Sequence, residues 1–197
     1  MALTGVGVCM PLIMIITAFA ALVGNGGAPR ATIFMGKNKK DDAEKILANC
    51  FTMQILLSVI LTVVLLIWNR DFLLAFGASA NTIEYAASYM NIYALGTIFV
   101  QLTLGMNAFI TAQGFAKEGM LSVLIGAIAN IILDPIFIFG HFGCPAMGVK
   151  GAAIATVIGQ FVGMSIVLGF LFFKDHIVKI SFKGFRLPRE SSKTSTP

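Results

Sequence analysis

The sequence predicts an all-α integral membrane protein with about five transmembrane helices, and three observations carry that prediction. Of its 197 residues, 57% are hydrophobic and only 12% charged, with a mean hydropathy of +0.89. A soluble domain usually carries about a quarter of its residues as charges. The charges here also gather in short runs between long apolar stretches, which is the pattern of a polytopic membrane protein. Finally, the apolar stretches are each near or above the ~20 residues that cross a hydrocarbon core of about 30 Å. Inside lipid a segment must satisfy its own backbone polar groups, so these stretches form helices rather than open strands.

The first span covers residues 5–24 and continues helically to Gly36. Within it, Gly24-Asn25-Gly26-Gly27 lacks the Lys-Ser/Thr and the preceding strand of a phosphate loop, and reads as close helix packing or local unwinding. Residues 36–42, Gly-Lys-Asn-Lys-Lys-Asp-Asp, close this segment, and Asp41 or Asp42 is expected to cap the next helix. The second span, 46–68, ends at Asn69-Arg70-Asp71. The third covers 87–112, the fourth 119–140 and the fifth 148–173, with an external loop from Gly140 to Gly148. Residues 1–174 thus form the membrane bundle. Residues 175–197 form a basic cytoplasmic tail whose Ser/Thr-rich end is expected to be disordered.

Orientation follows from the flanks. Twelve of the fourteen basic residues fall on one side: Arg30, Lys37, Lys39, Lys40, Lys45, Lys117, Lys174, Lys179, Lys183, Arg186, Arg189 and Lys193. Only Arg70 and Lys150 fall on the other. Positive charge marks the cytoplasmic side, so the C-terminus is cytoplasmic and the N-terminus external in a multi-pass protein of the plasma or inner membrane. The first residues carry no Lys or Arg, so no cleavable leader is expected. An uncharged external start instead suggests a preceding span running from inside to outside.

The net charge of +5 does not indicate a nucleic-acid partner, because the basic residues flank apolar segments. The partner expected from composition is the lipid bilayer. Cys9, Cys50 and Cys144 have no metal-ligand spacing, and two of them sit in apolar segments as small hydrophobes. His141 falls in the external loop and His176 in the tail. With no nucleophile–base pair in view, enzyme chemistry is not expected, and neither is a cofactor.

One acidic residue departs from this pattern. Asp134 lies in Ile131-Ile132-Leu133-Asp134-Pro135, some fifteen residues along its helix, or roughly 22 Å of rise. A carboxylate inside a membrane costs at least ~2.5 kcal/mol on insertion scales and points by default to function. Asn130 lies one turn away on the same face. Pro135 lacks an N–H, so the carbonyl of Ile131 loses its helical donor and a kink is expected. A carboxylate, an amide oxygen and a freed carbonyl are hard oxygen ligands, suited to a small cation or a proton relay. The other polar residues in spans, among them Gln54, Asn91, Gln101, Asn107 and Gln160, are expected chiefly to join helices by hydrogen bonds.

Several stretches in order resemble the MATE (multidrug and toxic compound extrusion) family. They are Gly24 to Gly36, Lys37 to Asn49, Phe76-Gly77-Ala78 with Tyr85 to Tyr89, and Asn107 to Gly114. Asn130 to Pro135 and Gly148 to Thr156 complete the series. The likeness extends over about residues 5–187 and corresponds to helices two to six of the family's N-terminal lobe. It implies most of one six-helix lobe, with the first helix and the second lobe missing from this chain. It also implies an antiporter exporting small cationic or amphipathic compounds in exchange for Na⁺ or H⁺. The coupling site implied by the resemblance is Asn130 and Asp134 on the fifth helix with Thr156 on the sixth, a set that would hold Na⁺. The alternative reading is a structural or scaffold membrane protein whose polar residues serve packing alone.

Overall fold

A computed structural model describes residues 2–173. Six α-helices follow one another in chain order: α1 (Ala2–Gly36), α2 (Lys40–Ala75), α3 (Ile83–Leu95), α4 (Thr97–Ala112), α5 (Ala116–Phe139) and α6 (Val149–Phe173). A short 3₁₀ turn, His141–Gly143, lies between the last two. Among the described residues there is no β-strand. Four helices are long and apolar enough to cross a membrane, and α3 with α4, bent by 56° between them, passes the same test as a pair. The tail expected at 175–197 lies outside the described residues.

The third span therefore departs from the straight helix read at 87–112. It begins earlier, at Ile83, and breaks at Gly96. A Cβ on Gly96 would lie 2.5 Å from Cγ2 of Val157, so α6 packs directly into the bend. The helix of the second span kinks at Trp68 (φ −106°, ψ 20°), where the apolar run read as 46–68 ends, and a further helical segment carries α2 on through Asn69-Arg70-Asp71 to Ala75. Beyond the hydrocarbon a helix no longer has to be apolar, so polarity alone does not end it. The N-cap of α2 is Lys39, and neither Asp41 nor Asp42 caps it; both sit in its first turn. There they still oppose the positive end of the helix dipole.

The core is divided by depth. One apolar cluster joins Cys9, Leu12 and Ile16 of α1 to Leu65 and Leu73 of α2 and to Met90 and Tyr93 of α3. The other joins Ala28 and Ala31 of α1 to Leu47, Met106, Phe109, Val167 and Leu171. Between them lie two fully buried glutamines. Gln54 Nε2 donates to the carbonyl of Ala20 and Gln101 Nε2 to that of Ile16, both at 3.0 Å. Both Oε1 atoms have no protein partner among the described residues. Helices α2 and α4 thus hold successive turns of α1 by its backbone.

Glycine makes the α1–α4 contact close. A Cβ on Gly24 would lie 2.7 Å from the carbonyl of Gly105, and one on Gly27 would lie 2.8 Å from the ring of Phe109. Of the two readings of Gly24-Asn25-Gly26-Gly27, the structure supports close packing, since α1 stays helical there. Helix α5 is the outlier of the bundle. Among the described residues it packs on α4, α6 and the 3₁₀ turn alone, and its buried residues are Gly119, Ser122 and Gly126.

Candidate functional site

The α5–α6 crossing is closed by paired glycines. A Cβ on Gly126 would lie 2.8 Å from the carbonyl of Gly159, and a Cβ on Gly159 would lie 2.7 Å from that of Gly126 and 3.0 Å from Cβ of Asn130. Only residues without side chains allow this approach, which is how small residues bring membrane helices together. The crossing in turn sets what lies one turn above it. Asn130 faces Thr156, and Asp134 follows Asn130 at i+4 on the same face.

The polar contacts there are long. Asn130 Nδ2 donates to Asp134 Oδ1 at 3.4 Å and to Thr156 Oγ1 at 3.4 Å. The Thr156 hydroxyl itself donates to the carbonyl of Ala152 at 2.9 Å, which turns its lone pairs toward Asn130. All three side chains are half-buried. Bonds at the far edge of the useful range hold weakly. An ionised carboxylate only accepts, so one weak amide contact leaves most of its capacity free. Rotating the Asn130 amide would bring its oxygen to the same point as the Asp134 and Thr156 oxygens, making a hard-oxygen set of the kind that small cations take.

Thr103, Ser122, Asn130, Thr156 and Gln160 line a cavity of about 190 Å³ between α4, α5 and α6. Its wall reaches Asn130 and Thr156 but not Asp134, which stands one turn further along α5. Of the other expected contributors, Ile131 turns its side chain outward, 68% exposed. Helix α5 is continuous through Pro135, and the Pro135 carbonyl meets His141 Nδ1 at 3.0 Å. The structure thus brings Asn130, Asp134 and Thr156 together, with Ile131 and Pro135 on the same turns of α5.

Sequence reasoning missed Tyr89. This α3 residue is buried and stacks on Tyr93 with ring centroids 6.0 Å apart. The available signal was slight, since Tyr89 sits on an apolar helical face with Ala86, Met90 and Tyr93, and such an aromatic reads as core. Among the described residues, no three of His, Cys, Asp and Glu come together as a metal cluster.

A bundle of apolar helices around a polar intramembrane pocket, broken helix included, defines the class as a multi-pass membrane transporter lobe. The MatE family model matches residues 1–136, more than half of the sequence. The chain belongs to the MATE family. It is 26% identical over 175 residues to the "Probable multidrug resistance protein YoeA" of Bacillus subtilis (strain 168), covering 89% of this chain and 38% of that one. It is 28% identical over 193 residues to the "Probable multidrug resistance protein NorM" of Thermotoga maritima, covering 97% and 41%. A 26% identical relative from Shewanella oneidensis, again covering 89% of this chain and 38% of its own length, is an FAD transporter.

Among solved structures, the inward-facing conformation of a multidrug resistance MATE family transporter superposes with a TM-score of 0.89 at 29% identity. It covers 96% of this chain and 42% of that one. An outward-facing MATE structure superposes with a TM-score of 0.86 at 29% identity, covering 95% and 41%. The chain therefore spans about two fifths of the length of the relatives it matches.

Proposed function

We propose that this chain supplies the ion-coupling part of a MATE antiporter that exports organic cations or drugs in exchange for Na⁺ or H⁺. The observation that carries the proposal is the meeting of Asp134, Asn130 and Thr156 across the Gly126–Gly159 crossing. Asp134 provides the charge, Asn130 and Thr156 provide neutral oxygens, and the Ala152 carbonyl orients the Thr156 hydroxyl. A cation or a proton neutralises Asp134, and one excludes the other. Either would bias how α5 sits on α6 and so reshape this lobe where it meets the second, the two bodies whose relative rocking gives alternating access. Residues 1–174 form the working bundle, with the N-terminus external and the C-terminus cytoplasmic. The first helix and second lobe of the relatives complete it.

Efflux of a fluorescent organic cation from proteoliposomes, driven by an imposed Na⁺ or H⁺ gradient, tests the reading. A form extended to the length of the relatives should show gradient-driven efflux, and the 197-residue chain alone should show none. Gradient-driven efflux by the chain alone would overturn the assignment of a partial lobe. No coupled efflux from either form would leave the scaffold reading standing. Orientation is tested with reporter tags. A tag at the C-terminus should be protected from protease in right-side-out vesicles and one at the N-terminus cleaved; the reverse result rejects it.

A further inference from the structure

A second polar feature lies far from Asp134, at the end of the bundle where the basic residues gather. Helices α1 and α2 flank a groove of about 780 Å³ whose apolar walls include Leu22, Phe34 and Met53, and whose polar residues include Arg30 and Asn49. Among the described residues the ion pairs are Lys45–Asp42 and Arg70–Glu84, so no carboxylate neutralises Arg30.

Helix length places this groove relative to the bilayer. Helix α1 has 35 residues and α2 has 36, so each is more than 50 Å long, against a hydrocarbon core of about 30 Å. Centring the core on each helix leaves roughly seven or eight residues beyond it at each end. On α1 the boundary falls near Pro29 and Arg30, and on α2 near Leu47 to Asn49. Leu22 then lies about 12 Å deeper than Arg30, and Met53 about 6 Å deeper than Asn49. The groove is cationic and hydrogen-bonding at headgroup level and apolar below it. A molecule with an anionic head and an apolar tail matches both parts.

We propose that the α1–α2 groove binds an anionic phospholipid, its phosphate on Arg30 and Asn49 and an acyl chain along Leu22 and Met53. Arginine suits this role because its fixed fork meets two phosphate oxygens at once. Basic pockets between helices at the cytoplasmic side are where anionic headgroups are commonly recognised. The proposal is independent of the coupling site at Asp134.

The test uses the chain in lipid nanodiscs, with Trp68→Phe and Met53→Trp placing one fluorophore on the groove wall. Phosphatidylglycerol and phosphatidylcholine with brominated acyl chains are compared as quenchers at equal mole fraction. Phosphatidylglycerol should quench at roughly one fifth of the mole fraction that phosphatidylcholine needs, the gain one basic residue brings at a membrane surface. Arg30→Gln should abolish that preference and Arg30→Lys should retain most of it. Equal quenching by the two lipids would overturn the proposal, as would a preference that survives Arg30→Gln. Loss of phosphatidylglycerol quenching on adding millimolar glycerol 3-phosphate would reassign the groove to soluble phosphate esters, and would overturn it too.

Discussion

Gln54 and Gln101 in the α1–α2–α4 half of the bundle, and Asn130 and Thr156 in the α5–α6 half, are all neutral polar residues inside apolar helices. They are held differently. The glutamines are fully buried and donate at 3.0 Å to backbone carbonyls of α1. The pair on α5 and α6 is half-buried and meets at 3.4 Å, beside a cavity and one turn from a carboxylate. A fully buried amide bonded to another helix's backbone is committed to holding the two helices together, whereas the bond from Thr156 to the Ala152 carbonyl at 2.9 Å ties it only to its own helix. A side chain that shares a single amide among distant partners keeps capacity for something else. The distance and partner of a polar residue, more than its type, separate support from chemistry.

Breaking the second half chemically should have the largest effect. In a transporter of the relatives' length, Asp134→Asn should reduce gradient-driven efflux to the level of empty vesicles while leaving membrane insertion intact. Asn130→Ala should weaken coupling less, since it removes one neutral ligand and keeps the charge. Transport at the parent rate by Asp134→Asn would make Asp134 a packing residue.

Breaking the crossing mechanically comes next. Gly159→Leu drives a side chain into the Gly126 carbonyl and should cost about 3 kcal/mol, the upper part of the range for overpacking. Gly169→Leu on the same helix is the control, because a Cβ there meets nothing within 4 Å. It should stay within about 0.5 kcal/mol of the parent, as surface substitutions usually do. Reversible unfolding in mixed micelles measures both. Equal losses for the two would deny the glycine pair its special place.

The smallest expected effect sharpens the other side of the comparison. Gln54→Leu keeps the side chain's bulk and removes its bond to Ala20, which in membrane proteins averages about 0.6 kcal/mol. Stability should fall by that order and ion-coupled efflux should persist. Loss of coupling without loss of stability would show that the polar layer around α1 takes part in the cycle.

Legibility in the sequence follows the same division. Asp134, Asn130 and Thr156 were readable because a polar residue within an apolar run is conspicuous, and the resemblance gave them a common place. Tyr89 was hidden because an aromatic at helical spacing matches the core on either side of it. The span count was readable from the lengths of the apolar runs. The break at Gly96 was not, since Leu95-Gly96-Thr97 is apolar or small and leaves hydropathy continuous across the bend. The second apolar run ends where α2 kinks, at Trp68, but the helical segment beyond it to Ala75 was not readable, because polarity says nothing of backbone hydrogen bonding outside hydrocarbon. Hydropathy reports the solvent of a segment, and the backbone can bend or continue without consulting it.

The break at Gly96 has a consequence for how the protein is made. Helix α3, at 13 residues, is about 20 Å long and α4, at 16, about 24 Å, so neither alone reaches across a 30 Å core. Only the two together have the length to be inserted as a span, and in the finished bundle Val157 of α6 packs against their bend. A ribosome that has delivered α3 but not α4 has yet to commit a span, and the topology of everything downstream waits on those next sixteen residues.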